Sequence, residues 1–537
     1  MLGRRASVLA ALLSAPLTAQ TPALFEIQRL DDNPPMGLDE YGYGVDLDGS
    51  LAVVGVPGKD SVGAAEVLRR GEHGEWLHET FLTSSQPSAQ TYKLGTVVAI
   101  HDSVIVLGCR DYAYVLLQNI ALAYRQDGGT WGPGLPLVPD PGGLTDGFGA
   151  AVAVHDDVIV VGAPFDEHDG LSEAGAAYVF RWNGATWSQE ARLTAVEGAS
   201  FDHFGWAVAV DGDTVLVGAT GVDVLGPGDN HGAVYSFERA DGSWPGTGTL
   251  APPTDVLPKN LGSDLALDGA RAVAGIPYAT VDGFNGAGAV CVFVRDGPDW
   301  RLEATLLDDV VGPAQYFGNS VDIDGDVLVA ACFQLVAGDH RGLAHAFRRT
   351  ESGWSEVRRL VPVDIHHADA FGSDVAIDDP WVLVGDPYQS PHGVTGPWSY
   401  YGQAGAAFVF DASGQTWDSA GGVLPSTWGP PILVGQGEVV AGDTALLTLV
   451  AARPQSPTIM IFGLGVASAP FKGGVLVPTP DLMVPGLVTN GVGGLFLHGR
   501  WPDDLASGLT FVFQAWIADA GGPHGFAASN AVVATVR

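Results

Sequence analysis

A glycine that returns seven times, each time followed at a fixed distance by a second small residue, limits this chain more than any other feature. The leading residues are Gly42, Gly95, Gly149, Gly205, Gly262, Gly318 and Gly372, separated by 53, 54, 56, 57, 56 and 54 residues. Thirteen residues after each stands Gly55, Gly108, Gly162, Gly218, Gly275, Ala331 or Gly385. Every copy keeps that interval, so nothing is inserted between the two points. A tryptophan then follows in each copy: Trp76, Trp131, Trp187, Trp244, Trp300, Trp354 and Trp417. A period near fifty is the mark of a repeat architecture.

Thirteen residues accommodate two strands of about five joined by a tight turn. The first strand alternates, as in Ala207-Val208-Ala209-Val210, and predicts one buried face. The second is apolar throughout, as in Val215-Leu216-Val217, and predicts burial on both faces. Asp211-Gly212-Asp213, Asp268-Gly269 and Asp324-Gly325-Asp326 lie between them and accept positive φ cheaply. A third strand, such as Ala233 to Phe237, and a fourth opened by the tryptophan complete the unit. The expected fold is all-β, a seven-bladed β-propeller of four-stranded blades. The seventh copy has a weak fourth strand, since Asp-Ser-Ala-Gly-Gly follows Trp417. A spare strand, Phe25 to Leu30, precedes the first copy and is expected to complete the last blade.

The chain resembles the FG-GAP repeat proteins, whose best-known members form the integrin alpha-subunit propeller. The motifs are Phe148-Gly149 with Gly162-Ala163-Pro164, Phe204-Gly205 with Gly218-Ala219, and Phe371-Gly372 with Gly385-Asp386-Pro387. Tyr41-Gly42 with Gly55-Val56-Pro57 is a near match. The resemblance spans roughly residues 24 to 420, as an array of such repeats should. It implies a propeller used extracellularly for recognition or cell adhesion. Integrin-type repeats place a long Asp-rich calcium loop between the first two strands, whereas here that connection is a short turn. Asp322-Ile-Asp324-Gly-Asp326 therefore reads as a solvated hairpin turn.

Residues 1–19 read as a signal peptide: Arg4-Arg5, an apolar stretch from Ala6 to Leu17, and a cut after Ala19. That stretch is too short for a membrane span, so the expected location is secreted or cell-surface. The propeller is assigned to 20–423, a Pro-rich linker to 424–431 and a β-sandwich to 432–537, where short apolar strands alternate with Gly and Pro. A net charge of −36 argues against nucleic acid as a partner. The three cysteines, Cys109, Cys291 and Cys332, are read as buried free thiols, and a monomer is expected.

Antiparallel strands send the tight turns to one rim and the long, variable loops to the other. Loops of varied length on a rigid frame are where binding concentrates, so the ligand is expected on the loop face. Asp39, Asp146, Asp202 and Asp369 each stand two residues before the aromatic that opens a copy. They form either a partial ring for a cation or a set of carboxylates that close their own turns. The loop from Asp386 to Gln403 holds Tyr388, Trp398, Tyr400 and Tyr401, suited to stacking on sugars or anchoring a protein. Alternatively it folds back on the second domain. Asp166 to Asp169, and Asp223 with Asp229, are candidate calcium loops, read in preference as solvated. His366-His367 with Asp364 and Asp369 resembles a metal cluster only in composition, because adjacent residues of an extended strand face opposite ways. No catalytic residue, metal ligand or cofactor is assigned, calcium being the alternative, and no Gly-x-Ser-x-Gly, His-Glu-x-x-His or phosphate-loop pattern occurs. The first reading is a recognition or adhesion scaffold for a protein or glycan. The others are a polysaccharide-active lyase or hydrolase and a structural envelope component.

Overall fold

The computed structural model of this chain describes residues 26–536, leaving out 32–38, 85–92, 111–119, 363–369, 389–403, 425–430 and shorter stretches. The expected signal segment lies outside the described residues. Among them, seven antiparallel sheets follow one another from residue 26 to residue 411. The third shows the pattern: Ala151–His155, Val158–Ala163, Ala176–Trp182 and Trp187–Leu193 pair in sequence order. In the second, the outer edge is divided between the short strands Thr130–Trp131 and Leu135–Leu137. The first strand of each sheet packs on the first strand of the next, and Val375–Asp378 of the last packs on Val45–Asp48 of the first. The sheets thus close a ring of blades around a central channel.

The seventh sheet is completed from the other end of the chain. Glu26–Leu30 pairs antiparallel with Ala406–Asp411 and forms its outer edge. Trp417–Ser419, expected in the propeller, pairs instead with Phe526–Thr535 in the C-terminal sheet. The reason is occupancy: the edge it would have joined is already taken by Glu26–Leu30. The last strand of the ring therefore ends at Asp411, ahead of the segment expected as the linker.

The fixed interval of thirteen has a double cause. The leading glycine donates its N–H to the carbonyl of the second small residue, as from Gly42 to Gly55 at 2.9 Å and from Gly149 to Gly162 at 3.0 Å. It does so with φ between +83° and +95° in all copies, a backbone state that costs other residues free energy. The second small residue then presses on the next blade. A Cβ on Gly162 would lie 2.1 Å from the Gly205 carbonyl oxygen, and one on Gly218 2.2 Å from that of Gly262. At six of the seven second positions the seam is therefore backbone against backbone, and only Ala331 carries a methyl there.

Second strands are covered on both sides by adjacent blades, and Val215, Leu216 and Val217 are fully buried. Each such side chain contributes about 1.5–3 kcal/mol. Three of the recurring tryptophans fasten the outer rim to a glutamate of the preceding blade. Trp131 donates its Nε1–H to Glu79 of the preceding blade at 2.9 Å, Trp244 to Glu190 at 3.2 Å and Trp354 to Glu303 at 3.1 Å. Arg239 and Arg349 join Glu190 and Glu303 at 2.7 and 3.1 Å.

The C-terminal part is a β-sandwich. A five-stranded sheet (417–419, 526–535, 510–518, 457–463, 482–488) faces a three-stranded one (432–436, 444–450, 495–500). Leu433, Leu447 and Leu449 of the smaller pack with Met460, Phe462, Phe511 and Phe513 of the larger in one core. No helix among the described residues is long and apolar enough to cross a membrane.

Candidate functional site

The two rims of the ring differ in chemistry. At the turn rim, side chains at the end of each first strand accept the turn N–H of the next blade. Asp268 takes that of Gly325 at 2.6 Å, Asp324 that of Asp379 at 2.7 Å, and Asp378 that of Gly49, while Asp48 bonds Asp102. Asp211 takes Gly269 at 2.5 Å, and in the two remaining blades His101 and His155 replace the carboxylate, accepting through Nδ1 from Asp156 at 3.1 Å and Gly212 at 3.2 Å. An N–H bound to Nδ1 fixes the proton on Nε2, and His155 Nε2 lies 3.1 Å from Asp211. This is a closed ring of side-chain-to-backbone bonds.

Higher in the channel, four more carboxylates repeat the device. Asp374 accepts from Val45 at 2.9 Å, Asp46 from Ile100 at 2.7 Å, Asp264 from Val321 at 2.8 Å and Asp322 from Ile377 at 2.7 Å. Each of these N–H groups belongs to the inner edge strand of the following blade, which has no strand beyond it. A buried N–H without a partner is costly, and the aspartates supply the acceptor. Enclosure has an electrostatic effect. Burial, with Asp374 and Asp48 nearby, pushes Asp46 up to about 7 against the pull of its N–H bonds. Burial and Asp264 bring Asp374 to about 7, and burial with Asp46 and Asp264 holds Asp322 well above the usual carboxylate range. Arg110 spans the mouth above them, donating to the carbonyls of Ala150 at 2.6 Å and Trp206 at 3.0 Å, and its charge favours ionisation of Asp264 and Asp374.

Asp322, read from the sequence as part of a solvated turn, instead has its side chain half-buried in the channel, and of the three aspartates only Asp326 is exposed. The available signal was positional. Two and four residues after the leading glycine, most copies carry Gly, Ala or Val, while these carry Asp. With their oxygens engaged by the next blade, the channel acids act as fastenings.

The loop rim is apolar by comparison. Of the nine large apolar side chains exposed on the described part of the ring, all but Leu77 lie in its loops: Val138, Val196, Phe201, Val224, Leu257, Tyr278, Phe284 and Leu307. Phe201 is 56% exposed and has φ +70°. Left-handed backbone is costly for a bulky residue, and the N–H bonds of Phe201 to Ser172 and of Gly221 to Asp202 hold the loop in place.

The aspartates expected around the mouth are at the roots of these loops. The carbonyls of Asp39, Asp146 and Asp202 accept the N–H of Gly58, Phe165 and Gly221 at 2.9–3.0 Å. Asp39 and Asp202 are buried, and Asp146 is half-buried. Asp202 also closes its own turn, accepting from Ala199 at 2.7 Å. Tyr388 is half-buried, and burial beside Glu40 raises its pKa. Trp398, Tyr400, Tyr401, Asp369 and the His366-His367 pair lie outside the described residues. Of the calcium candidates, Asp166 is buried against Tyr178 at 2.7 Å and bonded to Arg192. Asp223 accepts from Gly228 and Asn230, and Asp229 from Val224 and Gly226, at 2.8–3.1 Å. Both carboxylates shape their own loop. All three cysteines are buried, and no disulfide joins them.

The family described as FG-GAP repeat matches in three places, residues 135–180, 187–237 and 354–410. No curated protein matches. Among solved structures, a GH74 xyloglucanase from Xanthomonas campestris aligns with 15% identity and a TM-score of 0.42, over 77% of this chain and 58% of its own. This chain thus spans less than two thirds of that enzyme's length. A selenium-binding protein described as hypothetical, from Sulfolobus tokodaii, aligns with 11% identity and a TM-score of 0.37, over 68% of this chain and 79% of its own. At these scores neither likeness bears on activity. Repeat spacing, strand order and family match converge: three stretches of the chain match FG-GAP repeats, and the repeats are blades of a β-propeller.

Proposed function

We propose that this chain is an exported recognition or adhesion scaffold that binds a protein or glycan partner through the loop face of its propeller. The observation that carries the reading is the division between the rims. Exposed apolar side chains gather on the loops, among them the aromatics Phe201, Tyr278 and Phe284 at 56, 48 and 43% exposure, while acids bonded to backbone N–H groups occupy the turn rim and channel. Aromatic side chains bring large contact area at low entropic cost, which suits them to stacking on sugars or filling a partner's pocket. In this reading Tyr388, Trp398, Tyr400 and Tyr401, together with Asp39, Asp146, Asp202 and Asp369, contribute to ligand binding, as their positions in the sequence suggest. In the same reading residues 1–19 direct export, 20–423 carry the binding face, 432–537 serve as an appended module, and the protein is a monomer.

The test is a glycan array and a panel of purified extracellular matrix proteins, probed with the full chain and with a Phe201→Ser/Tyr278→Ser/Phe284→Ser variant. Each stacked aromatic contact contributes roughly 1 kcal/mol, so the triple variant should lose about a hundredfold in affinity or more. Leu77→Ser, exposed on a blade edge, should bind as the parent does. Equal loss in both variants, or none in the triple variant, refutes the loop face as the site.

A further inference from the structure

Between the fifth and sixth blades, three residues far apart in sequence meet in a fully enclosed space. Asp308 follows the last strand of the fifth blade, Cys332 lies on the second strand of the sixth, and His345 on its third. All three are buried, His345 completely, among Val290, Val292, Phe317 and Leu343. Their ligand atoms lie within 4.8 Å of one another. His345 Nε2 stands 3.9 Å from Cys332 Sγ and 3.9 Å from Asp308 Oδ2.

The 3.9 Å gap to Asp308 is the informative quantity. It is too long for a nitrogen–oxygen hydrogen bond, which falls at about 2.7–3.2 Å. Two donors bound to one tetrahedral zinc at about 2.0–2.3 Å stand roughly 3.3–3.6 Å apart, so small side-chain movements would bring the set onto an ion. The surroundings are those of a metal-bound imidazole. His345 Nδ1 lies 3.0 Å from Glu356 Oε1, which fixes the ring and leaves Nε2 as the donor to an ion. Arg359 holds Glu356 at 2.9 Å and faces the other oxygen of Asp308, Oδ1, at 3.4 Å. Charge also balances: one thiolate and one carboxylate neutralise a divalent cation, and Glu356 neutralises Arg359. Mixed sulfur, nitrogen and oxygen donors in a closed site select zinc over calcium or magnesium.

We infer that Asp308, Cys332 and His345 supply the protein ligands of a zinc site, its fourth position completed by water, that locks the fifth blade to the sixth. The thiol proton of Cys332 passes to solvent as the sulfur–metal bond forms. Enclosure means the ion enters as the blades close, so binding is coupled to folding. The metal-free alternative is an imidazolium between Asp308 and Glu356, with Cys332 as filler.

The full chain, unfolded with a chelator and refolded with zinc or cobalt, separates these. Expected are about one zinc per chain by elemental analysis, a higher melting temperature than for chelator-refolded protein, and a thiolate-to-cobalt charge-transfer band in the near ultraviolet. Cys332→Ser should abolish the band, and Cys291→Ser, a buried thiol elsewhere in the ring, should retain it. The wild-type spectrum decides even if a variant misfolds. A refolded protein without stoichiometric metal, a cobalt form lacking the band, or a band that survives in Cys332→Ser overturns the site.

Discussion

Replacing Asp374 by Asn should make the protein more stable at pH 8 and leave it unchanged at pH 4. Asp374 accepts from Val45 at 2.9 Å through Oδ2 and from Ser320 at 3.0 Å through Oδ1. An amide oxygen can keep the bond to Val45. What Asn removes is a charge held among Asp46, Asp264 and Asp322. Burial first, then Asp264, lifts the Asp374 carboxyl from 3.8 to about 7. Between those values the folded protein keeps a proton that the unfolded chain releases, so stability falls as pH rises from about 4 to about 7 and is level above. A shift of about three units corresponds to about 4 kcal/mol if borne by one group. Four coupled acids share it and the channel admits solvent, so the single substitution should recover about 1–2 kcal/mol. Denaturant melts of parent and Asp374→Asn at half-unit steps from pH 4 to 8 give the difference directly. A gain that is flat with pH, or a loss at pH 8 comparable with a broken buried hydrogen bond, refutes the claim that burial and repulsion together outweigh the N–H bonds.

Other substitutions test the seams and the rim. Gly218→Ala, whose Cβ would lie 2.2 Å from the Gly262 carbonyl oxygen, should cost about 3 kcal/mol or more, while Gly226→Ala, with nothing within 4 Å, should be nearly neutral by the same melts. Glu303→Gln should cost about 1–2 kcal/mol at pH 7, by weakening the bonds to Trp354 and Arg349. Burial opposes ionisation of Glu303, but those partners hold its pKa below the ordinary 4.5. Its contribution is therefore full above about 4.5 and lost as pH falls through the folded value, so the deficit of Glu303→Gln should shrink in acid. Deleting residues 26–30 uncovers the edge of Ala406–Asp411 and should lower the melting temperature by several degrees and raise aggregation, read by light scattering.

The blades were legible because glycine positions at a seam tolerate no Cβ, and that intolerance is written as a fixed spacing. The closing strand was legible for a related reason: Glu26 to Leu30 has the pattern of a fourth strand with no blade of its own. Trp417 misled because its place in the repeat is intact while its edge is taken, and edge occupancy depends on distant chain. Asp322 misled because inward and outward positions of a short strand differ by one residue, and only the closed ring shows which side meets the channel. Cys332 and His345 lie on neighbouring strands of one repeat but Asp308 belongs to the one before, so no spacing within one copy brings all three together. The exposed aromatics of the loops, Phe201 and Tyr278, carry no period and gain meaning only from the rim they share.

The pairing of Glu26–Leu30 with Ala406–Asp411 sets a timetable for assembly. The earliest-made strand must stay unpaired until nearly the whole circle has been synthesised, because Glu26 meets Phe410 only then. Blades formed in the meantime stack as an open arc with two raw ends. Contacts of such long sequence separation form late and slowly, so the arc is the species that chaperones and proteases encounter. Once the two ends meet, opening requires parting the first and last strands of the ring, and a cut in the chain before or after them leaves the circle intact.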